Sequence, residues 1–344
     1  MDEKLITLNN LKIFAEELLK ANYTLILQDK QGIRWEKISN SDELHISSKL
    51  KPTKASFKEF VFSKTEPIFY FNNKNDGVEL IDSNLSAEKM VFFGSKPCDA
   101  KSINIMSKVF NWDYKDNFFN TKAENSIVIG MLCEYRDEFC FCTSVNLSPV
   151  SSDGSDLFLI PTDENNFAIR IVTEKGREFI QPFLKLFAEG NPETTDQIFK
   201  KINLPEKGFE SEVIRSWIGN NFEHKYFERA GEICLGCGQC AFVCPVCHCF
   251  DIVDEECGYS CGRRMKNWDA CQFSLFTLHG SGHNPRHNQT QRYRQRISHK
   301  FKYYVDKFDE ILCTGCGRCS RGCPVGIDIG QIAKEVHSLA ANKV

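Results

Sequence analysis

The chain has 344 residues, with 43 Lys and Arg against 46 Asp and Glu, a formal net charge of -3, 42% hydrophobic residues and 26% charged ones. That balance fits an ordinary globular chain with room for two or three domains, and it excludes bulk electrostatic attraction to nucleic acid or to a membrane. The leading MDEKLITLNNLKIFAEELLK is amphipathic and carries acids where a signal peptide would be apolar, and no run reaches the length of a membrane span, so a cytoplasmic location is expected.

In chain order, helical spacing predicts a helix over 9–20, with Leu11, Phe14, Ala15, Leu18 and Leu19 on one face and Asn9 or Asn10 as its N-cap. Tyr23–Gln28 and Ile33–Ile38 flank Gln31-Gly32 and read as a hairpin. Strands are expected at Pro67–Phe71, Val78–Ile81 and Lys89–Phe93, then a helix from about Asp99 to Phe110 and a buried strand at Ser126–Met131. Leu157–Pro161 and Phe167–Val172 read as a second hairpin. Helices follow over Glu174–Ala188, from Asn191-Pro192-Glu193, over Ser211–Arg229 and over about Ile329–Ala341, the last with Ile332, Val336 and Leu339 on one side.

Seventeen cysteines stand out against this background. With no export signal they argue for metal rather than disulfides. Two runs carry most of the information: Cys234–Pro245 (CLGCGQCAFVCP) and Cys313–Pro324 (CTGCGRCSRGCP). Both space their cysteines by two, two and three residues and end in Cys-Pro, the bacterial-ferredoxin arrangement for a [4Fe–4S] cluster, in which the fourth cysteine ligates the other cluster of a pair. One cluster is therefore assigned to Cys234, Cys237, Cys240 and Cys323, and the other to Cys313, Cys316, Cys319 and Cys244. The glycines Gly236, Gly238, Gly315 and Gly317 let the backbone wrap closely and aim N–H groups at sulfur. Paired structural zinc sites are the competing reading, but zinc ribbons use pairs of CxxC.

The whole then reads as an α+β chain. A mixed α/β domain spans 1–172, a helical connector 173–230, and a mostly helical, ferredoxin-like dicluster domain 231–344, with a long insert over 246–312 that accounts for the 68 residues between Cys244 and Cys313. Cys98, Cys133, Cys140 and Cys142 lie where strand ends could gather them, and form a candidate third metal site. A helix N-terminus would favour the thiolate at Cys98. Cys247, Cys249 and Cys271 are a rival set, read more simply as sulfur lining the cluster pocket. Arg263, Arg264, Lys266 and the basic stretch from Arg286 to Lys302 are read as cations offsetting cluster charge or docking a partner rather than as a nucleic-acid surface. His279, His283 and His287 are read as structural. No GxGxxG, P-loop or GxSxG occurs, so nicotinamide, if used, falls to another polypeptide.

The ordered motifs PCD, LC, CFCTS, CxxCxxCxxxCPxCxCFD, WDxC, GHN, RYRQR, HK and CxxCGRCxxxCP resemble the dicluster electron-transfer subunit of anaerobic sulfite reductase and the β subunit of sulfhydrogenases, from about residue 51 to residue 328. KPTKASFKEFVFSKTEPIFYF, GSDLFLI and CPVGIDI lean toward the sulfhydrogenase branch. The resemblance implies a cytoplasmic iron–sulfur electron-transfer subunit, without a catalytic site of its own. It would work between a flavin-containing, NAD(P)H-linked subunit and a catalytic subunit, either a sirohaem sulfite reductase or a [NiFe] hydrogenase. It also carries over the eight cluster ligands named above. Cys98, Cys133, Cys140, Cys142, Cys247, Cys249 and Cys271 fall on family motif positions. The competing classes are a stand-alone iron–sulfur oxidoreductase with Cys98 or Cys271 as a reactive thiol, and a zinc-stabilised interaction module.

Overall fold

Strands buried on both faces need cover on both sides, and the apolar runs of this chain impose that requirement. The computed structural model describes residues 2–85, 88–258 and 260–341. Its strands are β1 (Glu3–Thr7), β2 (Thr24–Gln28), β3 (Trp35–Ile38), β4 (Thr65–Lys74), β5 (Gly77–Asp82), β6 (Met90–Ser95), β7 (Ser126–Met131), β8 (Leu157–Pro161), β9 (Asn166–Ile171), β10 (Ala188–Glu189), β11 (Phe250–Glu256) and β12 (Cys261–Trp268). Eight of them form one sheet in the order β10-β1-β9-β8-β7-β6-β2-β3. Its centre is parallel, β2 with β6, β6 with β7 and β7 with β8, and its flanks are antiparallel.

Side chains alternate across this sheet because the strand period is two. Leu25, Leu27, Val91, Phe93, Ile127 and Ile129 face the helix Leu8–Lys20, where Leu11, Phe14, Ala15 and Leu18 are buried. Ile26, Met90, Phe92 and Val128 face the opposite side, against Phe57, Val61, Met106 and Phe110. The first helix is capped by Thr7 rather than by Asn9 or Asn10, since the Thr7 side chain accepts from the Asn10 N–H at 3.1 Å.

Two predicted helices are shorter than their periodicity suggests. The helix expected over 174–188 is α-helical only at Glu174–Ile180 and then tightens to a 3-10 turn at Gln181–Leu186, where Pro182 removes a backbone donor. The helix expected over 211–229 breaks into Ser211–Asn220 and Tyr226–Ile233 around Gly219-Asn220-Asn221. The predicted last helix is found at Ile329–Ala341, with Ile332 and Val336 buried.

The insert is not purely helical. Residues 250–268 form the hairpin β11–β12, whose edge pairs with β4, giving a second sheet in the order β11-β12-β4-β5. Strands from the first and last thirds of the chain thus share one ladder. After the hairpin a helix starts at Gln289, capped by Asn288, and runs without a break to Phe308 through a π-helical turn at His299–Tyr303. It packs with the helices 211–220, 226–233 and 329–341 around Ile214, Trp217, Phe227, Ile297 and Phe301. No helix among the described residues is long and apolar enough to cross a membrane.

Candidate iron–sulfur sites

The two cysteine runs adopt the same backbone. Gly236 and Gly238 have φ of 67° and 73°, and Gly315 and Gly317 have 64° and 69°. A side chain in this left-handed region costs about 1–2 kcal/mol, so the repeated CxGC spelling is a conformational requirement. A one-turn helix follows each, Gln239–Phe242 and Arg318–Arg321, and places the third cysteine of its run. The expected sulfur-directed amide is present at Gly315, whose N–H donates to Cys313 Sγ at 3.4 Å.

Cys234, Cys237, Cys240 and Cys323 line one cavity, together with Cys319, Tyr293 and Arg296. The fourth cysteine of the second run thus stands with the first three of the first run, although 82 residues separate Cys240 from Cys323. Cys244 and Leu312, the residue before the second run, meet at Lys300, whose Nζ lies 3.4 Å from Cys244 Sγ and donates to the Leu312 carbonyl at 2.8 Å. Burial pushes the Cys313 thiol up to about 12, with Lys300 opposing it and Cys319 and Cys316 adding to it.

Cys98, Cys133, Cys140 and Cys142 line a second cavity with Cys316, Gly315, Pro97 and Tyr135. The sheet explains the convergence. Cys98 follows the end of β6 and Cys133 the end of β7, and these are adjacent parallel strands. Cys140 and Cys142 arrive on the loop after Cys133, which is pinned to the second run by the Phe141 N–H donating to the Gly315 carbonyl at 3.0 Å. A Cβ on Gly315 would lie 2.5 Å from the backbone of Cys142. In one respect the structure corrects the sequence reading. Cys98 does sit in the first turn of the helix Pro97–Phe110, yet burial, aided by Asp99, drives its thiol well above the usual range, and the helix N-terminus does not make it a thiolate. Burial likewise raises Cys140 and Cys142 to about 12. These are not the properties of an exposed reactive nucleophile.

Cys247, Cys249 and Cys271 line a third cavity with His248, His299, Arg296 and Lys300. Cys257 and Cys261, at the tip of the β11–β12 hairpin, are joined in a disulfide.

The basic residues of the insert divide by location. Arg263 and Arg264 form exposed ion pairs with Glu255 and Asp254 across the hairpin, and buried Lys266 pairs with Glu66 at 2.7 Å. The helix from Gln289 does something else. Arg292, Arg296, Lys300 and Tyr304 recur every four residues, occupy one face and are all buried. Arg296 donates from Nη1 to Cys247 Sγ at 3.5 Å and from Nη2 to the Cys240 carbonyl at 3.0 Å. Arg296 and Lys300 are 3% and 2% exposed, and among the described residues neither forms an ion pair with a carboxylate. Burial works against the charge of Lys300, but Cys244 and Cys247 outweigh it and raise its pKa. The i, i+4 spacing of Arg292, Arg296 and Lys300 is the signal that reading the stretch as general basicity misses. Lys58 was not visible as a site residue at all. Its Nζ reaches the Cys247 carbonyl at 2.9 Å, and burial lowers its pKa against the pull of Cys247 and Cys244.

A buried cation without an anion costs several kcal/mol. Here the facing groups are sulfurs, and thiolates on an iron–sulfur cluster would supply the missing negative charge. The donor set, cysteines spaced by two, two and three residues beside buried cations, fits that group.

The family described as "4Fe-4S dicluster domain" matches residues 233–327. The segment it covers contains both runs. Sulfhydrogenase 2 subunit beta of Pyrococcus furiosus is 29% identical over 307 residues, 88% of each chain. Over most of its length the chain is similar to a sulfhydrogenase β subunit. No solved structure matches it. The match to a 4Fe-4S dicluster domain supports an iron–sulfur protein with two [4Fe–4S] clusters in that segment.

Proposed function

We propose that the chain relays electrons between a flavin-containing, NAD(P)H-linked subunit and the catalytic subunit of an anaerobic cytoplasmic complex. In the sulfhydrogenase branch, which the relative favours, the catalytic partner is a [NiFe] hydrogenase; in the other branch it is a sirohaem sulfite reductase. Cys234, Cys237, Cys240 and Cys323 hold one cluster, and Cys313, Cys316, Cys319 and Cys244 the other. When bound, these clusters supply one-electron storage.

The observation that carries this reading is the sulfur-facing pair Arg296 and Lys300, buried with no carboxylate partner among the described residues. The protein's own contribution is to hold the eight thiols in two repeated glycine-bent loops, to exclude water from Cys244, Cys313 and Cys316, and to set fixed positive charge beside them. Cys237 is exposed and its neighbour Leu235 is 68% exposed, which favours this end for contact with a partner.

Cys98, Cys133, Cys140 and Cys142 hold a third cluster in this proposal. Cys316 lines their cavity and is also a ligand of the second run's cluster, so the two centres would be neighbours. The test is iron and sulfide counting on anaerobically purified chain. The dicluster domain requires about eight irons, and serine at Cys98, Cys133, Cys140 and Cys142 removes about four beyond those. A preparation holding zinc and neither iron nor sulfide would refute the relay. An unchanged iron content in the four-serine variant would refute the third cluster alone.

A further inference from the structure

The insert has a task that neither the dicluster runs nor the third cysteine set uses. Its hairpin begins one residue after Cys249 and ends three before Cys271, and Phe250 stands opposite Trp268 in the ladder. The open end of the hairpin therefore brings Cys249 and Cys271 together. Asp269 N–H donates to the Cys249 carbonyl at 3.0 Å, and Cys249 and Cys271 line the same cavity. Cys247 completes three sulfurs on one interior cavity. His248 lines the same cavity, with Nδ1 3.1 Å from the Val246 carbonyl. A carbonyl only accepts, so Nδ1 carries the proton and Nε2 is left with its lone pair. Metal-binding histidines are held in this way, with the far nitrogen donating to a backbone carbonyl.

The surroundings suit an anionic centre. Arg296 and Lys300 line this cavity too, Arg296 touches Cys247 Sγ, and Lys58 holds the Cys247 carbonyl. The π-helical turn at His299–Tyr303 lies on this wall and carries Lys300; such turns are frequent at functional sites. Arg296 also lines the cavity of Cys234, Cys237, Cys240 and Cys323, so one side chain separates the two sulfur sets.

We propose that Cys247, Cys249, Cys271 and His248 bind a further iron–sulfur cluster of the cubane class, distinct from both dicluster centres and from the site at Cys98–Cys142. The inference rests on the iron–sulfur reading above but not on its ligand assignments. Three cysteines and one imidazole supply four ligands, and the centre lies one arginine away from the first cluster of the dicluster domain.

The experiment compares wild-type chain with Cys249→Ser/Cys271→Ser, both purified anaerobically, by native mass spectrometry and iron counting. The variant is expected to keep the dicluster complement and to hold one cubane, about four irons, fewer than wild type. An equal complement in folded variant overturns the proposal while leaving the relay intact, whereas wild type without iron overturns both. Should the variant fail to fold, pulsed EPR of reduced wild type decides: a strongly coupled imidazole nitrogen is expected, lost in His248→Gln, and its absence from wild type overturns the assignment.

Discussion

Arg318 and Asp99 form an ion pair at 2.7 Å with each side chain 1% exposed, and it joins the second cysteine run to the helix that carries Cys98. Arg318 lies between Gly317 and Cys319, and its Nε also donates to the Thr53 carbonyl at 2.6 Å. One guanidinium thus fixes the position of a dicluster loop against the end of the large sheet. Removing one partner of a buried pair typically costs about 3–5 kcal/mol, because the other charge is left in a low-dielectric interior. Asp99→Ala should lose that much in denaturant unfolding of the iron-loaded chain. Asp99→Leu/Arg318→Met should lose less than the sum of its single variants.

The crossed ligation makes a pairing prediction that a sequential arrangement does not. Cys237→Ser/Cys323→Ser alters two ligands of one cluster, so its iron loss should match that of either single variant, about four atoms. Cys237→Ser/Cys244→Ser touches both clusters and should lose about eight. The reverse outcome in iron and sulfide counting would show that each run closes its own cluster.

Lys300 should set the potential of the centre that uses Cys244. Its ammonium lies 3.4 Å from Cys244 Sγ in a dry site, where it favours the more negative, reduced state. Lys300→Met should lower the midpoint potential in an EPR-monitored titration by about 60 mV, which for one electron corresponds to about 1.4 kcal/mol. An unchanged potential would mean that the charge is compensated elsewhere.

The same residue predicts different effects in loaded and stripped protein. Without iron and sulfide, Arg296 and Lys300 lose the charge of the clusters and face thiols alone; burial pushes Cys240 and Cys313 up to about 12, whereas Cys247, hydrogen-bonded by Cys244, is held well below the usual range. Removal of iron should lower the melting temperature by roughly 10 °C or more, given a cost of several kcal/mol for an uncompensated buried charge. Lys300→Met should then cost more stability in loaded than in stripped protein. Thermal scans of both forms check the difference.

Gly315→Ala tests the contact between the second run and the loop of Cys140 and Cys142. At φ 64°, with a Cβ 2.5 Å from the Cys142 backbone, alanine must displace that loop. A loss of at least about 2 kcal/mol is expected, with selective loss of iron from the Cys98–Cys142 site. Gly326 also has positive φ, at 70°, but has nothing within 4 Å of its Cβ, so Gly326→Ala should show the backbone cost alone.

The sequence by itself determined what depends on local spacing. The CxGCGxC spelling dictates two left-handed glycines and a one-turn helix in each run, and the continuous apolar runs at 90–93, 126–131 and 157–160 dictate strands buried on both faces. The order of motifs carried the family resemblance across most of the chain, and the relative covers 88% of it. Tertiary structure decided what depends on strands and helices meeting. Cys98 and Cys133 converge because β6 and β7 are parallel neighbours, and Cys249 meets Cys271 because a hairpin of alternating charges closes between them, although its exposed face gave no strong apolar period. The functions of the cations were likewise hidden. Arg264 and Arg296 look alike as basic residues in a sequence, but one pairs with Asp254 on the surface and the other faces buried sulfur. A side chain's charge is written in the sequence, but its dielectric surroundings and its counter-ion are fixed only when distant segments pack around it.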